Sequence, residues 1–236
     1  MNKRGKVMKK IKEYLKKWNK FEITLLTVGV LTTIISGTIV KSEILTVLSS
    51  VFSIITAMLQ AKGKVESQFI SIIVCIIYSY ISFKNKYYGE VIFYMLVMLP
   101  MSIGGIISWL THENEKTDTV EVNEIKLKEW ICLALVTIVA FIGLYKLLDF
   151  FNTSELLVST FSMIASFLAV YLLVRRSKYC FIFYLINDII LIILWGLPII
   201  SGNLLLIPMV IDPFILLISD TYGSFNWNKI EKEQED

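Results

Sequence analysis

Apolar residues along this chain fall into eight long runs separated by short polar breaks. The runs cover roughly 23–40, 44–60, 69–83, 91–110, 130–148, 156–174, 181–200 and 204–219. At 1.5 Å rise, about 18 residues cover about 27 Å, close to the roughly 30 Å of a bilayer's hydrocarbon core. Unpaired backbone amides are costly in lipid, so runs of this length predict transmembrane helices. A barrel would show alternating segments of about ten residues instead, and these runs do not alternate. The expected fold class is an all-α integral membrane protein with about eight spans. The shortest run, 69–83, is the weakest of them.

The pattern also echoes itself. Gly89 precedes Pro100 by eleven residues, and Gly202 precedes Pro213 by eleven, at an offset of 113. The stretch Phe52 to Leu59 likewise faces Phe161 to Leu168 at an offset of 109. Both echoes suit a three-helix unit used twice, over 44–110 and 151–219. If the copies are parallel, an extra crossing must return the chain between them, and residues 130–150 supply it. The expected order is a basic segment 1–22, a leading helix 23–43, the first triple, a polar linker 111–129, the linking helix, the second triple and a tail 220–236. A 3+1+3 core with parallel repeats is the SWEET-like arrangement, in which substrate sites lie between the halves. Transport is the function this organisation suggests.

Charge orients the bundle. Nine basic residues crowd the first twenty positions. With that end in the cytoplasm, all but Lys41, Lys84, Lys86 and Lys146 of the 23 basic residues fall on the inner side. This is the asymmetry of the positive-inside rule, so both termini are expected to be cytoplasmic. Ile11, Tyr14, Leu15 and Trp18 sit at helical spacing among lysines, which suits an interfacial anchor. Hydrophobic residues make up 56% of the chain, and no GxxxxGK[ST] phosphate loop is present for nucleotide hydrolysis. Cys75, Cys132 and Cys180 have no metal-like spacing and read as packing residues. With one histidine, His112, at a span edge, no nucleophile–base pair stands out. Neither an enzyme, a cofactor, a metal site nor a nucleic-acid partner is expected.

Polar groups deep in membrane helices face a cavity or a partner. Asn187 and Asp188 lie inside the seventh run, and Asp212 sits before Pro213, whose missing N–H weakens backbone pairing in the preceding turn. Either carboxyl suits a cation, a proton or substrate hydroxyls, and mutual structural pairing is the plain alternative. Asn187 can both donate and accept, which suits a ribose or an amide. Tyr78, Tyr94 and Trp195 lie deep enough to stack on a flat ring. Tyr87, Tyr88, Trp109, Trp130, Tyr179, Tyr222 and Trp227 fall at run ends and read as interfacial anchors. Gly104-Gly105 reads as a place of close helix approach.

Several stretches carry a family resemblance. Ala61-Lys62-Gly63-Lys64, Tyr78, the segment Ile81 to Glu90 containing Lys84-Asn85-Lys86-Tyr87-Tyr88-Gly89-Glu90, Leu99-Pro100-Met101, Gly104 and Trp109 resemble the PnuC family of nicotinamide riboside transporters. The end of the chain, Trp195 to Trp227, resembles that family's C-terminal part. The resemblance covers most of 43–227. It implies facilitated uptake of a nucleoside-like vitamin through a SWEET-like bundle in the cell membrane, trapping by a separate cytoplasmic kinase, and a homotrimer. Where the family usually has Asn, Gln and two Trp residues, this chain has Tyr94, Ser102, Cys180 and Phe183, while Asn187 is retained. The substrate-binding set implied is Asn187, Phe183, Trp195, Tyr94, Ser102 and Tyr78, with Asp188 or Asp212 placed to pair with a cationic ring. Thiamine or a deoxynucleoside on the same scaffold, a sugar carrier, and a non-transporting membrane scaffold or receptor are the alternatives.

Overall fold

The computed structural model describes residues 18–85, 87–153 and 155–235. The proposed surface anchor at Ile11, Tyr14 and Leu15 lies outside the described residues. Among them the helices are α1 (Lys20–Ile39), α2 (Ile44–Ala61), α3 (Glu66–Lys84), α4 (Tyr88–Phe93), α5 (Leu99–Leu110), α6 (Leu127–Phe150), α7 (Leu156–Val174), α8 (Cys180–Ile200) and α9 (Ile207–Glu235). A π-helical turn, Tyr94–Met98, joins α4 to α5 into one span, and a 3-10 turn, Leu204–Leu206, leads into α9. Among the described residues, eight helical spans are long and apolar enough to cross a membrane. Run 69–83 proves to be one of them, extended at both ends.

The helices form a ring. The middle helix α3 packs on α2 and α5, and α8 packs on α7 and α9. The ring closes where α2 meets α9 and α5 meets α7. Helix α1 lies outside it, against α2 and α9. Its start is fixed by a capping box: Asn19 Oδ1 accepts from the Glu22 N–H at 2.9 Å, and Glu22 Oε2 accepts from the Asn19 N–H at 2.8 Å. Glu22 is only 2% exposed, because Lys62 Nζ and the Tyr222 hydroxyl both donate to it, at 2.6 and 2.7 Å. Helix α6 is the most peripheral span, with 11% of its apolar window buried.

One end of the bundle gathers the polar linker. Two short strands, β1 (Glu113–Asn114) and β2 (Thr119–Val120), pair antiparallel. The linker docks on the 61–66 turn through the Val120 N–H to Gly63 carbonyl bond, and on the 175–179 turn through Asn123 to Arg176. Lys64 donates to both the carboxylate and the carbonyl of Asp118. The polar linker is therefore tied to the bundle by backbone bonds.

The end of the chain also differs from the tail expected over 220–236. Helix α9 runs on to Glu235. Gly223, Trp227 and Ile230 are buried, and their i, i+4, i+7 spacing keeps one face on the core. Trp227 Nε1–H donates to the Gln60 carbonyl at 2.9 Å, and Trp109 Nε1–H to the Leu173 carbonyl at 3.0 Å. Both indoles are at most 1% exposed and lie 5.8 Å apart. They are core tethers at the linker end, not the interfacial anchors that their place at run ends suggested.

Candidate functional site

The ring of helices encloses a cavity of about 140 Å³, an order of magnitude above the roughly 10–15 Å³ that one water needs. Each helix of the ring contributes to its wall. From α2 come Ser53, Thr56 and Gln60; from α3, Gln68, Cys75 and Tyr78; from the π turn and α5, Tyr94, Met98 and Ser102. Helix α7 adds Ser166, α8 adds Tyr184, Asn187, Asp188 and Trp195, and α9 adds Met209, Asp212 and Asp220.

The end away from the linker is aromatic. Tyr78 and Tyr94 stack with ring centroids 4.4 Å apart, and Trp195 meets Tyr78 edge-on at 6.2 Å. Tyr87 packs on the other side of Trp195 at 5.8 Å. Tyr94 owes its position to the π turn, where the Leu99 N–H bonds back five residues to the Tyr94 carbonyl. Such wide turns mark functional sites, and here the next residue, Pro100, has no N–H to restore the ordinary ladder.

The middle and the linker end are polar. Ser162 Oγ–H donates to Asn187 Oδ1 at 2.9 Å, both groups being buried. With its carbonyl so engaged, the Asn187 amide NH2 is the group left for a ligand. Ser53 lies against Asp212, whose Oδ1 has no donor among the described residues. Gln68 is 1% exposed and fits only because residue 105 is glycine: a Cβ there would stand 2.6 Å from Gln68 Oε1. Gly104 has no neighbour so close, so only the second glycine of the pair serves close approach. The Ser102 hydroxyl donates to the Met98 carbonyl of its own helix at 3.0 Å, which leaves little for a ligand.

Seven of the eight residues singled out from sequence, Tyr78, Tyr94, Ser102, Asn187, Asp188, Trp195 and Asp212, therefore share one cavity wall. Phe183 does not join them. It packs with Cys180, Phe181 and Trp227 in the apolar cluster at the linker end. Sequence reasoning missed Gln60, Gln68 and Asp220. The two glutamines stand near run ends, where polar residues are ordinary. Asp220 lies one residue past the last apolar run and reads there as tail.

A ring of membrane helices around a cavity of mixed aromatic, apolar and polar lining suits a solute transporter. The chain belongs to the nicotinamide mononucleotide transporter family, whose model matches residues 43–229. It is 22% identical over 188 residues to the nicotinamide riboside transporter PnuC of Neisseria mucosa, covering 78% of this chain and 72% of that protein. It is also 22% identical over 222 residues to that of Haemophilus influenzae, covering 93% and 95%. The crystal structure of the vitamin B3 transporter PnuC matches with a TM-score of 0.80 at 21% identity, over 92% of this chain and 94% of that one. The all-α membrane fold expected from the apolar runs is thereby confirmed.

Proposed function

We propose that this transporter carries nicotinamide riboside, or a closely related nucleoside-like vitamin, by facilitated diffusion. The observation that carries this reading is the two-ended cavity at the centre of the ring. Stacked aromatic rings suit a flat heterocycle, and the Asn187 amide beside them suits a ribose or a carboxamide. The names of the relatives in Neisseria and Haemophilus point to the same substrate. Tyr78, Tyr94 and Trp195 hold the ring, and Asn187 reads its polar groups. Phe183 is left out of the set, because it packs away from the cavity.

The pattern of helix contacts supports reading α2–α5 and α7–α9 as two copies of one unit. In each stretch the middle helix touches both others, and the ring closes where the first helix of one meets the last helix of the other. The linker end collects the turns that carry Lys62, Lys64, Arg175, Arg176 and Lys178, so it is the cytoplasmic side, with both chain termini there. The membrane is the cell membrane. Trapping by a separate cytoplasmic kinase and assembly as a homotrimer complete the reading, and mass measurement on detergent-purified protein tests the latter.

The deciding experiment is flux of labelled nicotinamide riboside into liposomes holding the purified protein, with thiamine and a deoxynucleoside as competitors. Saturable flux blocked only by unlabelled nicotinamide riboside is the expected result. Block by thiamine or the deoxynucleoside alone would reassign the substrate, and no flux of any solute would favour a scaffold or receptor.

A further inference from the structure

Each of the three carboxyls lining the cavity keeps one oxygen without a donor among the described residues. Asp188 on α8 and Asp220 on α9 are 1% and 3% exposed, and their carboxyls lie in hydrogen-bonding contact with each other. Two carboxylates can only accept, so the contact needs a positive charge between them, a shared proton or a cation. Asp188 Oδ2 and Asp220 Oδ1 have no donor among the described residues, and both side chains line the cavity.

The surroundings supply no such charge. The titratable groups that face the pair are Tyr184 and Cys180 on α8 and Asp212 on α9. Helices α2 and α3 present Gln60, Gln68 and Cys75, and α7 presents Ser166. Among the described residues, no lysine, arginine or histidine lines the cavity. Ionisable groups within a membrane pair with one another or mark the path of a solute. Gln68 gives an independent sign that a ligand completes this end. Its side chain is 1% exposed and wedged against Gly105, yet Nε2 has no acceptor among the described residues.

We propose that the Asp188–Asp220 pair is a charge-reading subsite. It makes the cavity select a permanent organic cation, an aromatic ring alkylated at nitrogen, over a neutral nucleoside of nearly the same shape. This deepens the reading of the cavity as a nucleoside site and rests on it. The positive ring supplies what two acceptor-only groups lack, Tyr184 offers it an aromatic face, and Gln68 donates to an oxygen on the same ligand.

The test compares equilibrium binding of nicotinamide riboside, whose ring carries a fixed positive charge, with binding of its neutral dihydro form. The protein is full length and detergent-purified, unaltered or carrying Asp188→Asn or Asp220→Asn. The unaltered protein should prefer the cation by about tenfold or more, as expected for one partly desolvated charge interaction. Either isosteric variant should bring that ratio towards one by weakening the cation more than the neutral form. The first comparison needs no variant, so poor folding of a mutant does not protect the proposal. Equal affinities for the two forms on the unaltered protein would overturn the charge reading while leaving nucleoside transport standing. Failure of both to bind would remove the nucleoside reading and this inference with it. Repeating the titration with N-methylglucamine in place of sodium adds a further arm. Sodium-dependent binding without preference for the charged ring would assign the pair to an inorganic cation and overturn the proposal.

Discussion

The stretches α2–α5 and α7–α9 build the cavity together, yet they bring different chemistry to it. The first gives neutral groups: Gln60, Gln68, Cys75, Tyr78, Tyr94 and Ser102. The second gives Asn187 and all three carboxyls, Asp188, Asp212 and Asp220. The shared Gly–Pro spacing hides a similar contrast. Gly89 stands at the start of α4 with a conventional backbone, and a Cβ there would fall 1.9 Å from Leu148 Cδ2. Gly202 sits in an open turn at φ +101°, with nothing within 4 Å of the Cβ position. One glycine is required by packing, the other by backbone conformation. Equal spacing in sequence therefore does not fix what a position does, and the charged groups of the cavity come from one stretch alone.

The contrast is most sharply tested by pairing Asn187→Ala with Gln68→Ala. Removing one partner of a buried hydrogen bond costs about 1–3 kcal/mol. Asn187→Ala should accordingly weaken nicotinamide riboside about 5- to 150-fold, and titration calorimetry reads the change. Gln68→Ala should sit at the lower end of that range, because it removes a bond to the ligand alone, whereas Asn187→Ala also leaves the Ser162 hydroxyl without its acceptor. An equal or larger loss from Gln68→Ala would move the weight of recognition to the first stretch.

The glycines come next, followed by thermal unfolding in detergent. Gly223→Ala should be the most disruptive, since its Cβ would meet the Phe181 ring at 2.3 Å and the ring is held in the core. Overpacking of this kind costs about 1–3 kcal/mol. Gly89→Ala belongs to the same class but meets the end of a leucine, so Leu148→Ala in the same chain should relieve part of its cost. Gly202→Ala should lose about 1–2 kcal/mol through backbone strain, and no change in a neighbouring side chain should recover it. Rescue of Gly202→Ala by a packing mutation would erase the distinction between the two glycines.

Ser102→Ala is the smallest expected effect. Its hydroxyl is satisfied by the Met98 carbonyl, so binding should change less than about twofold, within the spread of changes that leave no buried group unpaired. A larger loss would return Ser102 to direct ligand contact.

Much of this was legible in the residues themselves. Each span is a local property, so the eight runs translated directly into helices. Deep polar residues such as Asn187, Asp188 and Asp212 stand out against an apolar background and could be picked one by one. Gln60, Gln68 and Asp220 were not legible, because near a run end a polar residue looks like an exit to water. Phe183 shows the converse. It is one helical turn from Asn187 in sequence, but the packing of α8 turns it to the cluster of Phe181 and Trp227.

By itself the sequence determined the membrane class, the number of spans and the charge asymmetry, because hydrocarbon accepts only long apolar helices with their backbone bonds satisfied within. The tertiary structure alone decided which polar residues face one another, that α9 continues past the apolar run to bury Trp227, and that Asp188 meets Asp220. Those outcomes depend on how helices distant in the chain are rotated and packed together. No run of residues read along one helix contains that information.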